Sequence, residues 1–316
     1  MATSQASPAA PAAPAELRAR IEGYGALLVV QLFFGLFPVF GKWAMAAFSP
    51  RAVAAWRICF GALCLGLVVF LLHGREAFPK RGSWGRFCAC ALLGVTLNMV
   101  LFLEGLERST AVNAGLLIQV IPVFTFAIAV ILRRESFVAS RGLGILVAFA
   151  GTLWLALAKG PDLSEQYVLG NLLIIVNCFC YSLYLVLARP LLAQHPPLVV
   201  IAWVFILSAW AVPVLAVGED WWPAQADTRA WTSLGYAVLF PTVLAYLLNA
   251  YALARVSSST TAVFIFLQAF ITGAAAIVLL GESLAPRTVM SATLIFLGVW
   301  LVLRRPVARP IAATSG

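Results

Sequence analysis

The sequence predicts an all-α membrane protein whose ten transmembrane helices form two five-helix repeats of inverted topology. Composition is the first indication, because 63% of the 316 residues are hydrophobic, 10% are charged and the mean hydropathy is +0.98. Soluble globular domains are much more polar than this. The second indication is a set of long apolar runs. The third is an internal repeat, in which Arg108 and Glu135 recur 147 positions later as Arg255 and Glu282.

The apolar runs divide the chain into two tails and two repeats. A helix that crosses a bilayer needs about 20 apolar residues, and such runs fill residues 23–158 and residues 159–305. Residues 1–22 are rich in Ala and Pro, and both they and the short tail 306–316 are expected to be disordered and cytoplasmic. The predicted spans are 24–42, 52–72, 87–104, 109–132 and 142–158 in the first repeat, and 168–188, 198–218, 230–254, 256–280 and 288–304 in the second.

The repeat involves residue types that are uncommon in so apolar a chain. Thr125 recurs as Thr272 and Trp56 recurs as Trp203, again 147 positions apart, with coincidence of composition as the alternative. Five crossings end on the side of the membrane opposite to where they began. A duplicated five-helix unit therefore places its second copy upside down. Inverted repeats around a site near the midplane are a recurring construction of secondary transporters.

The basic residues predict the orientation in the membrane. If the N-terminus is cytoplasmic, most of the 21 lysines and arginines fall on the cytoplasmic side, as the positive-inside rule expects. The net charge of +9 then reflects topology, and the sequence shows no nucleic-acid-binding footprint. The lipid bilayer is the expected environment. The basic residues expected outside are Lys42, Arg51, Arg108, Lys159, Arg229 and Arg287.

The sequence does not indicate catalytic chemistry. No H-E-x-x-H, G-x-S-x-G or P-loop pattern occurs. The pairs Cys88/Cys90 and Cys178/Cys180 are each two residues apart on a predicted helix, where side chains diverge by about 200°, so neither pair suits one metal ion. The sequence therefore predicts no enzyme activity, no catalytic residues, no metal site and no cofactor.

Short motifs stand at matching places in the two repeats. Residues 279–283 read LLGES and residues 132–136 read LRRES, while Pro122 lies within the fourth span and Arg57 near the start of the second. In these features the chain resembles the drug/metabolite transporter superfamily, in its ten-helix EamA-type branch, over about residues 24–304. It departs from the usual pattern at Arg134, where glycine is common. The resemblance implies transport of a small metabolite, often export, through a central cavity between the repeats.

Polar side chains at helical spacing indicate the candidate binding site. Polar groups within spans are costly unless they line a cavity or bond a neighbouring helix. In the sixth span Asn177, Tyr181 and Tyr184 share a face, and in the eighth Thr242, Tyr246 and Asn249 share one. These faces predict a common interior that binds substrate, the alternative for each residue being an interhelical hydrogen bond. The candidate substrate-binding residues are Gln31, Asn98, Asn113, Asn177, Tyr181, Tyr184, Tyr246, Asn249 and Gln268.

The charged residues within the spans limit the substrate. None lies in the interior of a second-repeat span, whereas a carrier of phosphorylated sugars needs Lys or Arg for the anion. Arg57 lies about 9 Å from the end of its helix and is expected to extend outward to the interface, with substrate contact as the alternative. Glu135 and Glu282 lie between spans, at the start of the turn into the next helix. A structural role at a helix N-terminus is expected for both, because free N–H groups and the helix dipole stabilise a carboxylate there, with substrate contact as the alternative.

Together these features predict a secondary transporter of the bacterial inner or plasma membrane for a small neutral or zwitterionic metabolite. Amino acids are the leading class and export the leading direction, by alternating access between the repeats. A nucleotide-sugar or other metabolite carrier of the same fold is the alternative within transport. A non-transporting membrane receptor or assembly subunit is the alternative from another class, disfavoured because no loop is long enough to hold a signalling domain. No pattern indicates an oligomeric state.

Overall fold

The computed structural model describes residues 14–132 and 165–303, apart from positions 257 and 284, together with a few isolated positions between 143 and 154. All regular secondary structure in these ranges is helical, which confirms the predicted all-α class. Most of the predicted fifth span, 142–158, lies outside the described residues, as do Glu135 and both ends of the chain.

Six helical stretches among the described residues are long and apolar enough to cross a membrane. Their starts follow local rules, since the side chains of Ser49, Thr110 and Asp227 each accept a hydrogen bond from a backbone N–H three residues ahead. The helices are α1 (Pro14–Ala44), α2 (Pro50–His73), α3 (Trp84–Arg108), α4 (Ala111–Ile131), α5 (Glu165–Leu192), α6 (Pro197–Ser208), α7 (Ala211–Ala216), α8 (Thr228–Leu253), α9 (Ser258–Val263), α10 (Phe266–Leu280) and α11 (Pro286–Leu303). The membrane-length stretches lie in α1 to α5 and α8.

Two of the predicted spans are each divided into two helices. The span expected at 198–218 is built from α6 and α7, and the span expected at 256–280 from α9 and α10. Pro213 explains the first break, because its ring clashes with the carbonyl four residues earlier, that of Ala209, where α6 ends. The count of ten transmembrane helices stays a prediction.

Both α3 and α8 contain a widened, π-helical turn. These turns cover Leu92–Thr96 in α3 and Leu239–Leu244 in α8, so they begin at positions 147 residues apart, the offset of the sequence repeat. A π-helical turn inserts an extra residue into the helix and is frequently found at functional sites. The two turns therefore mark equivalent places in the two halves of the chain.

Residue pairings establish how the helices run relative to one another. Between α1 and α3, Phe37 stacks on Phe102, and further along both helices the side chain of Lys42 reaches the backbone carbonyl of Glu107, so α1 and α3 run in the same direction. Between α3 and α5, Asn177 donates to the Asn98 carbonyl. Toward the end of α3, Gly105 lies against Gly170, which is earlier in α5. The α5 helix is therefore antiparallel to both α3 and α1.

One end of the bundle is joined by contacts between distant segments. Both carboxylate oxygens of Glu282 accept backbone hydrogen bonds at the start of α4, from Ala111 at 2.8 Å and Val112 at 2.9 Å. Glu282 therefore has the expected position at a helix start, but the helix is α4 and not α11, which follows it in the sequence. Gly281, at a φ of 68°, ends α10 in a left-handed turn, and the carboxylate that follows meets the free N–H groups of α4 instead.

Candidate substrate cavity

A cavity lies among helices from both halves of the chain. The empty space within it, together with the part open to the outside, amounts to about 520 Å³. Its wall is mostly apolar with a few polar groups, the usual make-up of a small-molecule site. The lining residues are Phe34, Phe37, Arg57, Asn98, Phe102, Ile118, Ile121, Asn177, Tyr181, Tyr246, Ile265 and Gln268.

The structure places five of the nine candidate site residues on this wall: Asn98, Asn177, Tyr181, Tyr246 and Gln268. They come from α3, α5, α8 and α10, so residues far apart in the sequence meet at one place. Their membership of a substrate site stays a prediction. The polar faces recognised in the sequence nevertheless converge on the same empty volume.

Gln31 stands directly behind the cavity wall. Its Oε1 accepts a hydrogen bond of 2.5 Å from Nε2 of Gln268, which joins α1 to α10. One turn along both helices, the Thr272 hydroxyl donates to the Gly35 carbonyl at 2.6 Å. Because Gln268 Nε2 already donates to Gln31, that glutamine amide is held in one orientation at the wall.

Tyr246 is fixed by the π-helical turn of α3. Its hydroxyl donates to the Gly94 carbonyl at 2.7 Å and lies 3.0 Å from Oδ1 of Asn98. The Asn98 backbone carbonyl in turn accepts from Nδ2 of Asn177 at 2.7 Å. Three polar residues from three helices therefore form one hydrogen-bonded group on the cavity wall.

Tyr181 and its neighbours continue this group across α5 and α8. Nδ2 of Asn249 donates to the Tyr181 hydroxyl at 3.0 Å, from a position behind the wall. The ring of Tyr184 lies 5.6 Å from that of Tyr181 and packs so closely on Gly94 that a Cβ there would collide with it. Asn249 and Tyr184 thus support lining residues rather than line the cavity themselves.

Asn113 lies apart from the cavity. It is in the first turn of α4, where its backbone N–H is capped by Thr110, and its Nδ2 donates to the Tyr167 hydroxyl at 2.7 Å. This contact is an interhelical hydrogen bond, the role given above as the alternative to substrate binding. Of the nine candidates, Asn113 is the one that neither lines the cavity nor contacts a lining residue through a described hydrogen bond or ring contact.

Arg57 enters the cavity, so the expectation that it extends outward to the interface is wrong. Its side chain is 3% exposed and lines the wall. Nε donates to Oγ1 of Thr242 at 2.8 Å, and the guanidinium carbon lies 4.2 Å from the centroid of the Phe37 ring. Packing of α2 against its neighbours turns this side chain inward, where Thr242 and Phe37 bind it in place of interfacial water.

Thr242 itself is positioned by the π-helical turn of α8. Its hydroxyl donates to the Ala237 carbonyl, five residues earlier, at 2.7 Å and accepts from Arg57. Thr242 shares a helix face with Tyr246 and Asn249, which was a usable signal in the sequence. The sequence signal for Arg57 was weaker: it is a charged residue seven positions after Pro50, and so about 10 Å inside the helix.

The groups on the cavity wall are of kinds that bind ligands non-covalently. Its polar groups are amides, phenols and one guanidinium, and aromatic rings of Phe34, Phe37 and Phe102 provide apolar faces. Within the described ranges, no three His, Cys, Asp or Glu side chains lie close enough together to hold a metal ion. An arrangement of this kind recognises a small molecule by shape and hydrogen bonds.

The apolar, membrane-length helices are those of an integral, multi-pass membrane protein. The EamA-like transporter family matches residues 21–157 and again residues 168–304, so the chain contains two EamA repeats. The protein belongs to this family, within the drug/metabolite transporter superfamily, and is a transporter rather than an enzyme.

Named relatives agree with this assignment. The chain is 24% identical to the uncharacterized transporter YyaM of Bacillus subtilis (strain 168), over 87% of this chain and 92% of that protein. It is 27% identical to a WAT1-related protein of Arabidopsis thaliana, over 88% and 80%. It is also 24% identical to a protein of Streptantibioticus cattleyicolor named "Probable terminal-alkyne amino-acid exporter", over 92% and 95%.

A solved crystal structure has the same overall fold. It superposes with a TM-score of 0.64 at 18% sequence identity, covering 91% of this chain and 97% of that chain. Likeness at this identity concerns the fold alone.

Proposed function

We propose that this EamA-family transporter is a secondary carrier that exports a small neutral or zwitterionic metabolite, with amino acids as the leading class. The observation that carries the proposal is the cavity, in which hydrogen-bonded amides and phenols face aromatic rings. Oriented carbonyl and hydroxyl oxygens suit an ammonium group, and the rings suit an apolar side chain. The amino-acid exporter named among the relatives supports the same class.

Alternating access between two inverted repeats is the proposed mechanism. Two observations support it. The α5 helix, which opens the second matched segment, is antiparallel to α1, which opens the first. The π-helical turns also occupy equivalent positions in the two segments. A site held between inverted halves can be exposed first on one side of the membrane and then on the other as one half rocks against the other.

The outer surface of α2 supports placement in a bilayer. Leu63, Leu67 and Leu71 are spaced at four-residue intervals and are 62%, 62% and 74% exposed. Such a stripe on a membrane-length helix faces lipid tails in preference to water. With the basic residues distributed as they are, we propose the inner or plasma membrane with both termini cytoplasmic.

A nucleotide-sugar carrier is the weaker proposal. A diphosphate carries more than one negative charge and is normally bound by several Lys or Arg side chains. The cavity wall, as described, presents the single guanidinium of Arg57 among amides and phenols. A substrate with at most one anionic group fits this lining better.

A transport panel in proteoliposomes tests the proposal. Purified protein is reconstituted and uptake of the twenty standard amino acids is measured with and without a proton gradient, beside UDP-glucose as the nucleotide-sugar probe. The expected result is saturable uptake of one or more amino acids above that of protein-free liposomes. Uptake of UDP-glucose with no amino acid transported would overturn the amino-acid assignment.

A further inference from the structure

Arg57 is a buried cation without a protein counter-ion in the described structure. Its side chain is 3% exposed, and no ion pair among the residues the structure describes includes it. The Arg57 guanidinium makes one hydrogen bond, from Nε to Thr242, and one cation–π contact, with the ring of Phe37. The Nη groups have no acceptor within the described ranges, and the side chain lines the cavity.

Without a ligand, the described contacts offset only part of the free-energy cost of burying this charge. Moving a charge out of water is costly both in a protein interior and in a membrane, and natural proteins offset the cost with an opposite charge or full hydrogen bonding. The cation–π contact with the Phe37 ring offsets only part of this cost. Because Arg57 lines the cavity, an anion bound there can reach its guanidinium.

The lining determines what kind of anion fits. The guanidinium is a planar fork whose donors match the two oxygens of a carboxylate. Thr242 accepts the Nε hydrogen bond, which leaves the Nη edge for the ligand. The remaining polar lining groups, Asn98, Asn177, Tyr181, Tyr246 and Gln268, are uncharged. One carboxylate is therefore neutralised by the cavity, whereas a second negative charge has no partner on the described wall.

We infer that Arg57 is the carboxylate-binding subsite of the cavity, so that the ligands of this transporter are small monocarboxylates. This inference rests on the proposed function and specifies the group through which its substrate is bound. An amino acid binds through its α-carboxylate at Arg57, and its ammonium is bound by neutral oxygens of the wall. A monocarboxylate that lacks the ammonium shares the same subsite. An amine or carboxamide that lacks the carboxylate does not.

A set of four matched compounds tests the subsite on the native protein. The probes are L-phenylalanine, L-phenylalaninamide, 3-phenylpropionate and phenethylamine, and the readouts are binding and thermal stabilisation of the protein in lipid nanodiscs. A leucine set of the same design (leucine, leucinamide, 4-methylpentanoate and isoamylamine) covers a smaller side chain. We expect the two carboxylates of a set to bind about ten- to hundredfold more tightly than the two compounds without one.

Variants of Arg57 provide the second arm. Arg57→Gln removes the charge and is expected to abolish the preference for carboxylates, while Arg57→Lys retains part of it. Arg86→Gln, which removes an exposed guanidinium near the start of α3, is the matched control and leaves the preference intact. If Arg57→Gln does not fold, the four-compound comparison on the native protein decides alone.

The outcomes separate this inference from the proposed function. Equal binding of the acids and the amides, or a folded Arg57→Gln that keeps the carboxylate preference, overturns the subsite even if amino acids are transported. Binding of 3-phenylpropionate that depends on Arg57, with no amino acid transported, keeps the subsite and overturns the amino-acid assignment.

Discussion

Nε of Arg57 on α2 donates a hydrogen bond of 2.8 Å to Oγ1 of Thr242 on α8. A charged residue from one half of the chain is thereby oriented by a hydroxyl from the other half. Thr242 in turn owes its position to the π-helical turn of α8, in which its hydroxyl reaches the Ala237 carbonyl. The relationship links an irregular helix turn to the orientation of the one charge on the described cavity wall.

Thr242→Val should therefore weaken ligand binding without removing any group proposed to touch the ligand. Loss of the hydroxyl leaves Nε of Arg57 without its acceptor and lets the guanidinium turn away from the cavity. We expect affinity for the transported carboxylate to fall about three- to tenfold, measured by titration of the purified protein. Thr242→Ser should restore it, because the hydroxyl returns.

Thr232→Val is the control for that experiment, since Thr232 is on the same helix but its hydroxyl bonds exposed backbone carbonyls. Unchanged affinity in Thr242→Val, with the native thermal stability retained, would show that Thr242 does not position Arg57.

Glu282→Gln should loosen the end of the bundle where Glu282 meets α4. The carboxylate accepts from two backbone N–H groups at a helix start, and the amide retains one acceptor oxygen and no charge. We expect a loss of about 1 kcal/mol in unfolding free energy, seen as a lower melting temperature in detergent. Glu107→Gln, at a half-exposed carboxylate that lies 3.4 Å from Arg108, is the control. Equal stability of the two variants would show that the Glu282 carboxylate does not stabilise its contact with α4.

Gly105→Ala should destabilise the contact between α3 and α5. A Cβ at Gly105 would lie 2.7 Å from the Gly170 carbonyl oxygen and 2.7 Å from Cγ1 of Ile174, so the two helices must separate. Overpacking of this kind costs roughly 1–3 kcal/mol. Gly85→Ala is the matched control, because nothing lies within 4 Å of the new methyl group. A melting temperature that stays native in Gly105→Ala would mean that this contact tolerates expansion.

His195 should make stability fall at acid pH. It lies in the turn between α5 and α6, where burial lowers the pKa of the imidazole and the positive charge of Lys80 lowers it further. The unfolded chain then binds a proton at a higher pH than the folded protein does. This contribution to stability is full above the unfolded pKa of about 6.5 and is lost as the pH falls toward the lower, folded pKa.

Melting temperatures between pH 8 and pH 5 check this prediction. His195→Gln should reduce the decline toward acid pH, whereas His73→Gln, at the other of the two histidines, should leave it in place. An unchanged pH dependence in His195→Gln would assign the decline to other groups.

Sequence periodicity was enough to locate the helical class and the polar faces. Tyr181 and Tyr246 could be placed on inward faces because polar groups in a span need a protein partner. The same reasoning could not choose the direction of Arg57, because a long side chain near a helix end can reach the interface or the interior. Which one it reaches depends on the rotation of α2 against its neighbours.

Contacts between the halves were also beyond the sequence. Glu282 was expected at the start of a helix, yet the helix that its carboxylate contacts is α4, more than 160 positions earlier in the chain. Spacing rules describe one helix at a time, whereas this contact depends on how α10 ends beside the start of α4. The π-helical turns could not be predicted for a related reason, since apolar periodicity is too coarse to reveal one extra residue in a turn.

Transport of an amino acid across the membrane through this cavity is tested most directly by counterflow in proteoliposomes. Liposomes that contain the protein are preloaded with an unlabelled amino acid, and uptake of the same amino acid in labelled form is measured. Three proteins are compared: the native protein, Gln268→Ala on the cavity wall, and Leu267→Ala on the exposed face of the same helix. We expect counterflow by the native protein and by Leu267→Ala, and an apparent affinity about ten- to hundredfold weaker in Gln268→Ala. Equal affinity in all three, or no counterflow of any amino acid above protein-free liposomes, would contradict it.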